Sequence, residues 1–398
     1  PTRRSSDLNN ETQNGAGSRF IISNGHFVGK DGKVIESIQN IDWNDQFYKL
    51  YQALPIRQHT KINHKGVANT ESNGKFDEQV VYKGTRFCFE MELIGNENDR
   101  DKWENLLDLL YTKSFRVGGG TRKGFGAIKV VSVKEQTFNF NKPDDMKSYL
   151  AKSSSLNSSL PSPKIVNNNT QSIKSPKYIE YKLKLKPENF WMFGSGLCDS
   201  EVDMTPVFED IIVWKNNNPI IKKDQILIPA TSIKGAISHR TAFHYNRIEG
   251  NFVKENEDIN EFVGENNEAV SKLFGIAKDS TSEDLNKQEG RKGKVIISDK
   301  FVAKQKGTEK ILNHVAIDRF TGGAIDGALY DEKVLTQEID LELDILVENI
   351  EDLNILEAFE QALKDICKGM LPLGGGTMRG HGCFIGKLEK NGKEIYNA

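Results

Sequence analysis

Apolar and polar residues alternate with period two at several places along the chain. In YIEYKLKLK, Tyr181, Leu183 and Leu185 alternate with Lys182, Lys184 and Lys186, and in QEIDLELDILV, Ile339, Leu341, Leu343 and Ile345 alternate with Asp340, Glu342 and Asp344. Successive side chains of an extended chain point to opposite sides, so each pattern predicts a strand with one buried and one wet face. GKVIIS and GCFIGKL predict two more strands. Between them, TSIKGAISHRTAFHY places Thr231 or Ser232 to cap a helix with Ile233, Ile237 and Phe243 on its apolar face. LNILEAFEQALKDIC puts Leu356, Phe359, Leu363 and Ile366 on one stripe, a second helix. The order from residue 177 onward is β-α-β-β-α-β, which predicts an α+β fold of the ferredoxin-like (RRM-like) plan.

The early part of the chain repeats portions of this unit. RFIISNGHFV (19–28) matches KVIISDKFV (294–302), HTKINHKGVA (59–68) matches HVAIDRFTGGA (314–324), and NGKFDEQ (73–79) matches DGALYDEK (326–333). DLN recurs at 7–9 and 284–286. A strand in TRFCFEMEL, a helix in WENLLDLLY and a strand in AIKVV complete the parallel. We therefore expect two copies in tandem, the first lacking its opening half. The expected boundaries are an incomplete first domain over 1–140, a flexible linker over 141–176 rich in Ser, Asn, Pro and Lys, and a complete second domain over 177–398. The first copy also carries DWNDQFYKLYQAL, whose Trp43, Phe47, Leu50 and Leu54 recur at helical spacing.

Each copy closes with a glycine loop, SFRVGGGTRKGFGAIKVV (114–131) and LPLGGGTMRGHGCFIGKL (371–388), with five glycines in nine residues. Neither is a dinucleotide fingerprint or a Walker A loop, because Lys123 and Arg379 stand where a third glycine would fall and GK[ST] is absent. Both loops follow a helix, where the dipole is unfavourable to anions. Five glycines exceed what a helix C-cap needs, and they would let another chain approach the backbone. The shared basic position, Lys123 or Arg379, suggests an anionic one.

Composition narrows the setting. The 398 residues carry a net charge of -2, so any nucleic-acid surface is local. Cys88, Cys198, Cys367 and Cys383 are scattered, without a CxxC pair, against a zinc ribbon or disulfide framework. No apolar run reaches membrane-spanning length, and the chain reads as cytoplasmic, with no membrane partner.

Three segments, IPATSIKGAISHR (228–240), AIDRFTGGAIDGALYDE (316–332) and LPLGGGTMRGHG (371–382), resemble the RAMP superfamily, specifically the backbone subunits of type III CRISPR effector complexes. The resemblance implies a palm that grips CRISPR guide RNA, a β-hairpin thumb, and as partners the guide, target RNA and other type III subunits. By position it implies RNA contacts from Ser232 and Lys234 at the helix start, from Arg319 and Thr321 where the thumb begins, and from Gly119, Gly120, Lys123, Gly375, Gly376 and Arg379 in the loops. In the first copy the arginine of DRFTGGA is replaced by His64 or Lys65.

In catalytic members of the family one loop aspartate is needed to cut the target RNA. GSGLCDSEVDMTPVFEDIIV (194–213) holds Asp199, Glu201, Asp203, Glu209 and Asp210, and VDMTPVF matches that segment best. Asp203 is the expected catalytic acid and the ligand of a divalent cation, Mg²⁺ by expectation, with Asp199 as the alternative. A non-catalytic RNA-binding subunit is the competing reading. His381 raises a third, a CRISPR RNA processing endoribonuclease using histidine as acid or base, although packing is the more economical role for it. His239 and His244, five apart, do not share a helical face and are weak metal candidates.

Overall fold

The computed structural model describes residues 18–68, 74–166, 178–278 and 288–398; the two DLN segments lie outside these ranges. The fold mixes helices with small sheets. The first half contains β1 (Phe20–Ile22), β2 (His26–Phe27), α1 (Gln46–Lys49), β3 (Ile56–Thr60), β4 (Lys75–Gln79), β5 (Phe87–Cys88), β6 (Met91–Leu93), α2 (Arg100–Leu110), β7 (Lys134–Glu135), α3 (Pro143–Leu150) and β8 (Lys164–Ile165). Among the described residues its strands pair in twos: β1 with β6, β2 with β5, β3 with β4, and β7 with β8. A capping box formed by Asn96 and Asp99 leads into α2.

The second half contains β9 (Tyr178–Pro187), β10 (Phe208–Lys215), β11 (Asn218–Ile228), α4 (Ala230–Glu249), α5 (Glu268–Phe274), β12 (Gly275–Ile276), β13 (Arg291–Lys292), β14 (Val295–Ile297), β15 (Lys300–Val302), β16 (Glu309–Ile317), β17 (Ala324–Leu335), β18 (Leu341–Glu348), α6 (Leu353–Cys367), β19 (Phe384–Lys390) and β20 (Lys393–Asn397). The main sheet has the order β14-β18-β9-β19-β20, every neighbour antiparallel. Alternation decides which side is buried: Tyr181, Leu183 and Leu185 join Leu341, Leu343 and Ile345 in a core with Ile233 and Ile237 of α4 and Phe359, Leu363 and Ile366 of α6. Burying each large side chain contributes roughly 1.5–3 kcal/mol. The lysines of the other face do not form an open basic surface. Lys182 lies 3.7 Å from Glu342 and 3.8 Å from Asp344, Lys186 lies 3.5 Å from Asp340, and Lys184 pairs with Glu389.

Several elements differ from the sequence expectation. α4 starts at Ala230, whose N–H donates to Asp299 Oδ1 at 2.8 Å, so neither Thr231 nor Ser232 caps it. Its buried stripe runs Ile233, Ile237, Thr241, Tyr245, and Phe243 is exposed. AIKVV forms no strand; only Ala127 bridges, to Arg116. The stretch from Trp43 to Leu54 makes the four-residue α1 and a 3-10 turn, Leu50–Gln52. Within 141–176, residues 141–166 carry α3 and β8 and bond to the first half: Asn157 donates to and accepts from the Val34 backbone, and Ser155 and Leu156 donate to Glu36. The rest of that segment lies outside the described residues.

The two halves meet along β10. Ile212 N–H donates to Lys83 C=O at 2.8 Å, Trp214 Nε1 donates to Gly84 C=O at 2.7 Å, and the Arg86 guanidinium lies 3.9 Å from the Trp214 ring centre. Arg57 forks onto Glu209 at 2.9 and 3.1 Å and reaches Asp299 at 2.6 Å, a buried ion triplet joining the halves. Among the described residues no helix is long and apolar enough to cross a membrane.

Candidate nucleic-acid interface

The hairpin β16-β17 meets the second glycine loop at a buried carboxylate. Glu332, 0% exposed, accepts from His314 Nε2 at 2.8 Å and pairs with Arg379 from the loop. His314 stacks on Tyr330, directly opposite it in the ladder, with ring centres 4.9 Å apart, and Arg379 lies over the same Tyr330 at 5.7 Å. His381 packs edge-on to Phe190; burial pushes its pKa down, and its Nδ1 has no hydrogen-bond partner at 3.7 Å from Glu332.

The same geometry occurs at β3-β4. His59 stacks on Phe76, its ladder partner, at 4.9 Å; Glu78 lies 3.2 Å from His59 Nε2; and Lys123 of the first glycine loop donates to Glu78 at 2.8 Å while sitting 4.7 Å over Phe76. Phe125 occupies the place of His381. Thus Lys123 and Arg379 are both tied to a hairpin carboxylate, a partner the sequence reading did not assign. The signal was present in the aligned segments, where an aromatic residue, an Asp and a Glu recur as Phe76, Asp77, Glu78 and Tyr330, Asp331, Glu332.

Most of the glycines are explained within each loop. In both, the first, third, fourth and fifth adopt positive φ. A Cβ on Gly126 would lie 2.1 Å from Val117 O and one on Gly382 2.0 Å from Leu373 O, so the loop needs bare backbone to close on itself. Four of the five glycines in each loop thus serve the loop's own conformation, not the approach of another chain. Gly119 differs: it lacks a positive φ, and nothing lies within 4 Å of a Cβ there, leaving an open backbone surface. Gly375 faces Met192, and Gly376 and Gly120 lie against His381 and Phe125.

The first loop abuts the start of α4, where a Cβ on Gly124 would lie 2.6 Å from both Ala230 Cβ and Asp299 Oδ1. This brings Lys123 within electrostatic reach of Lys234. Ser232 is exposed, whereas Lys234 points its ammonium toward Phe274 C=O at 3.4 Å. Burial, then the charges of Arg122 and Lys123, hold the Lys234 pKa below its usual range. Lys234 has no carboxylate partner among the described residues, whereas its neighbours Lys123 and Arg122 pair with Glu78 and Glu348.

At the hairpin tip, Asp318 accepts from the N–H groups of Phe320 and Thr321 and from the Thr321 hydroxyl, which in turn accepts from Gly323 N–H. Thr321 is thereby a turn residue. Arg319 is exposed without an ion pair among the described residues, beside Phe320, which is 97% exposed. In the first half Asn63 accepts from Lys65 and Val67 N–H in the same manner, and Lys65 is exposed.

The acidic loop is largely committed. Asp199 accepts from Glu201 and Val202 N–H at 2.8 Å each and from Lys333 at 2.9 Å; the lysine first, then those backbone bonds, hold its pKa down at about 2. Glu201 shares Lys333, Glu209 holds Arg57, and Asp210 accepts from Asp224 N–H. Asp203 is exposed with one engaged oxygen, Oδ2, which accepts from Asp331 N–H at 3.1 Å next to the Glu332 junction, and unlike Asp199 and Glu201 it has no lysine partner among the described residues. Among the described residues no group of three His, Cys, Asp or Glu could hold a metal ion. His239 Nε2 contacts Ile62 C=O at 3.2 Å and His244 is buried against Asp365 at 2.7 Å, so they do not converge.

The sequence model of the RAMP superfamily matches residues 6–129 and 184–385, and the chain belongs to that superfamily. Membership points to a CRISPR-associated, RNA-binding role. No curated protein is significantly similar to the chain.

Proposed function

We propose that the chain is a guide-RNA-binding backbone subunit of a type III CRISPR effector complex, made of two ferredoxin-like units in tandem, the first incomplete. The observation that carries this reading is the recurrence of one constellation, His59, Phe76, Glu78 and Lys123 in the first half and His314, Tyr330, Glu332 and Arg379 in the second, each fixing a hairpin to a glycine loop. The sheet order β14-β18-β9-β19 with α4 and α6 packed against it supports the ferredoxin-like plan. A hairpin anchored at its base and exposed at its tip suits a thumb, with Arg319 and Lys65 as cations open to phosphate and Phe320 open to stacking. At the palm, Gly119, Ser232 and Lys234 would take the guide backbone.

Target-RNA cleavage at Asp203 is the second part of the proposal. Asp203 is held by Asp331 N–H with one oxygen open, so it can position a 2'-hydroxyl on the adjacent phosphate, whereas Asp199 is consumed by its turn and by Lys333. A divalent cation would bind there only with RNA phosphate oxygens completing its shell. The scaffold-only reading is favoured by one observation, the absence among the described residues of a cationic or histidine partner on Asp203. Burial of His381 weighs against the processing-nuclease reading. The assembled complex should cut guide-complementary RNA, and Asp203→Ala should abolish the cut facing the second unit while retaining guide; undiminished cleavage would leave the scaffold role alone.

A further inference from the structure

The first half seats on the second through residues whose counterparts in the second half are themselves left open. Three arginines do the fastening. Arg57 of β3 reaches Glu209 and Asp299, Arg116 Nη2 donates to Ser298 Oγ at 2.8 Å, and Arg122 Nε donates to Gly293 C=O at 2.7 Å while its Nη2 pairs with Glu348. Around them Gly124 packs on Ala230 at the start of α4, a Cβ on Gly196 would lie 2.5 Å from Gln58 Oε1, and His239 of α4 contacts Ile62 C=O. One hairpin with its glycine loop thus rests on a helix start and the acidic loop.

The second hairpin and loop are held together by the same tie, Arg379 to Glu332 in place of Lys123 to Glu78, so they present the equivalent face. The ladders fix the correspondence on the hairpins: Arg57 lies opposite Glu78 and Leu312 opposite Glu332, Lys75 opposite Thr60 and Leu329 opposite Val315. In the loops, FRVGGGTRKGFG (115–126) aligns with LPLGGGTMRGHG (371–382), which sets Pro372 against Arg116 and Met378 against Arg122. Each fastening arginine is therefore an apolar residue in the second half. Met378 is 97% exposed, and among the described residues nothing lies within 4 Å of a Cβ at Gly380, the counterpart of Gly124. Val315 and Leu329, where the first hairpin has Thr60 and Lys75, form an exposed apolar pair.

These replacements define the chemistry of what covers the face. RNA is drawn by cations, and the exchange removes Arg57, Lys75, Arg116 and Arg122 together. A second copy of this chain fits no better. Its corresponding seat carries Glu209, Asp299 and Glu348, which would be buried opposite Leu312 and Met378 without a cation, and that seat is already filled by its own first half. Exposed apolar residues on the copy of a face that is elsewhere an interface favour a protein.

We infer, on the two-unit reading, that the second hairpin and glycine loop seat a separate protein. That protein offers a helix start to the loop and apolar side chains where the second half offers Glu209, Asp299 and Glu348.

A photo-crosslinking phenylalanine analogue in place of Met378, in affinity-tagged chain expressed in its natural host, tests this through the mass of the joined peptide. We expect that peptide to come from the first turn of a helix in a single polypeptide other than this chain. Leu329→Lys with Met378→Arg restores the first half's residues at two exposed positions and should cut retention of that polypeptide at least about tenfold, because the cations would be buried against apolar groups. The double variant should melt at the same temperature and bind single-stranded RNA at least as tightly as its parent, so a failed interface and a failed RNA-binding reading give different results. Crosslinks to RNA, to a second copy of this chain or to nothing would overturn the inference, as would full retention of the partner by the double variant.

Discussion

Glu332 holds two groups on one carboxylate, His314 and Arg379, and what the protein loses on its substitution measures the junction. Glu332→Ala would leave Arg379 and His314 without their acceptor beside a buried site, and we expect a loss of about 2–3 kcal/mol in urea unfolding. Glu332→Gln, which keeps the shape and one acceptor, should lose less. Asp199 gives a pH signature. Its carboxyl pKa, lowered to about 2 by Lys333 and two N–H groups, lies below the ordinary carboxylate value near 4, so its contribution is complete above that value and is lost as pH falls toward 2. Asp199→Asn should therefore flatten part of the acid-side decline in stability; an unchanged acid limb would show that the turn survives protonation. These partners were hard to foresee, because Glu332 and Arg379 are distant in sequence and only the fold joins them.

At the scale of elements, the glycine loops separate conformational demand from contact. Gly382→Ala sets a Cβ 2.0 Å from a backbone oxygen at positive φ and should destabilise by about 2 kcal/mol or more. Gly119→Ala meets nothing and should be neutral in thermal unfolding, so any loss of RNA affinity in that variant reports a contact at the loop surface. The main sheet and both of its helices were legible because β9, β18 and α6 carry period-two or helical apolar patterns that the core uses directly. The start of α4 was not, because its first N–H is satisfied by Asp299, a residue from beyond β14. AIKVV has the composition of a strand, but a strand needs neighbours, and pairing is a property of the fold.

Across the whole molecule, Arg57 between Glu209 and Asp299 fastens the first hairpin to the second half of the chain. The repeated motifs led to the expectation of two related halves, each matched by the superfamily model; how the halves dock was not legible, since Arg57 and Glu209 lie in segments without a matching pattern. The net charge of -2 leaves no global attraction to RNA, and affinity must come from a few local cations. The most direct measurement is a salt titration of binding to a single-stranded RNA by fluorescence anisotropy, comparing the natural protein with an Arg319→Ala, Lys65→Ala double variant. The account predicts binding at low salt, with a logarithmic salt slope shallower in the variant by about 0.7 for each cation removed. No binding at low salt, or the same slope in both proteins, would contradict it.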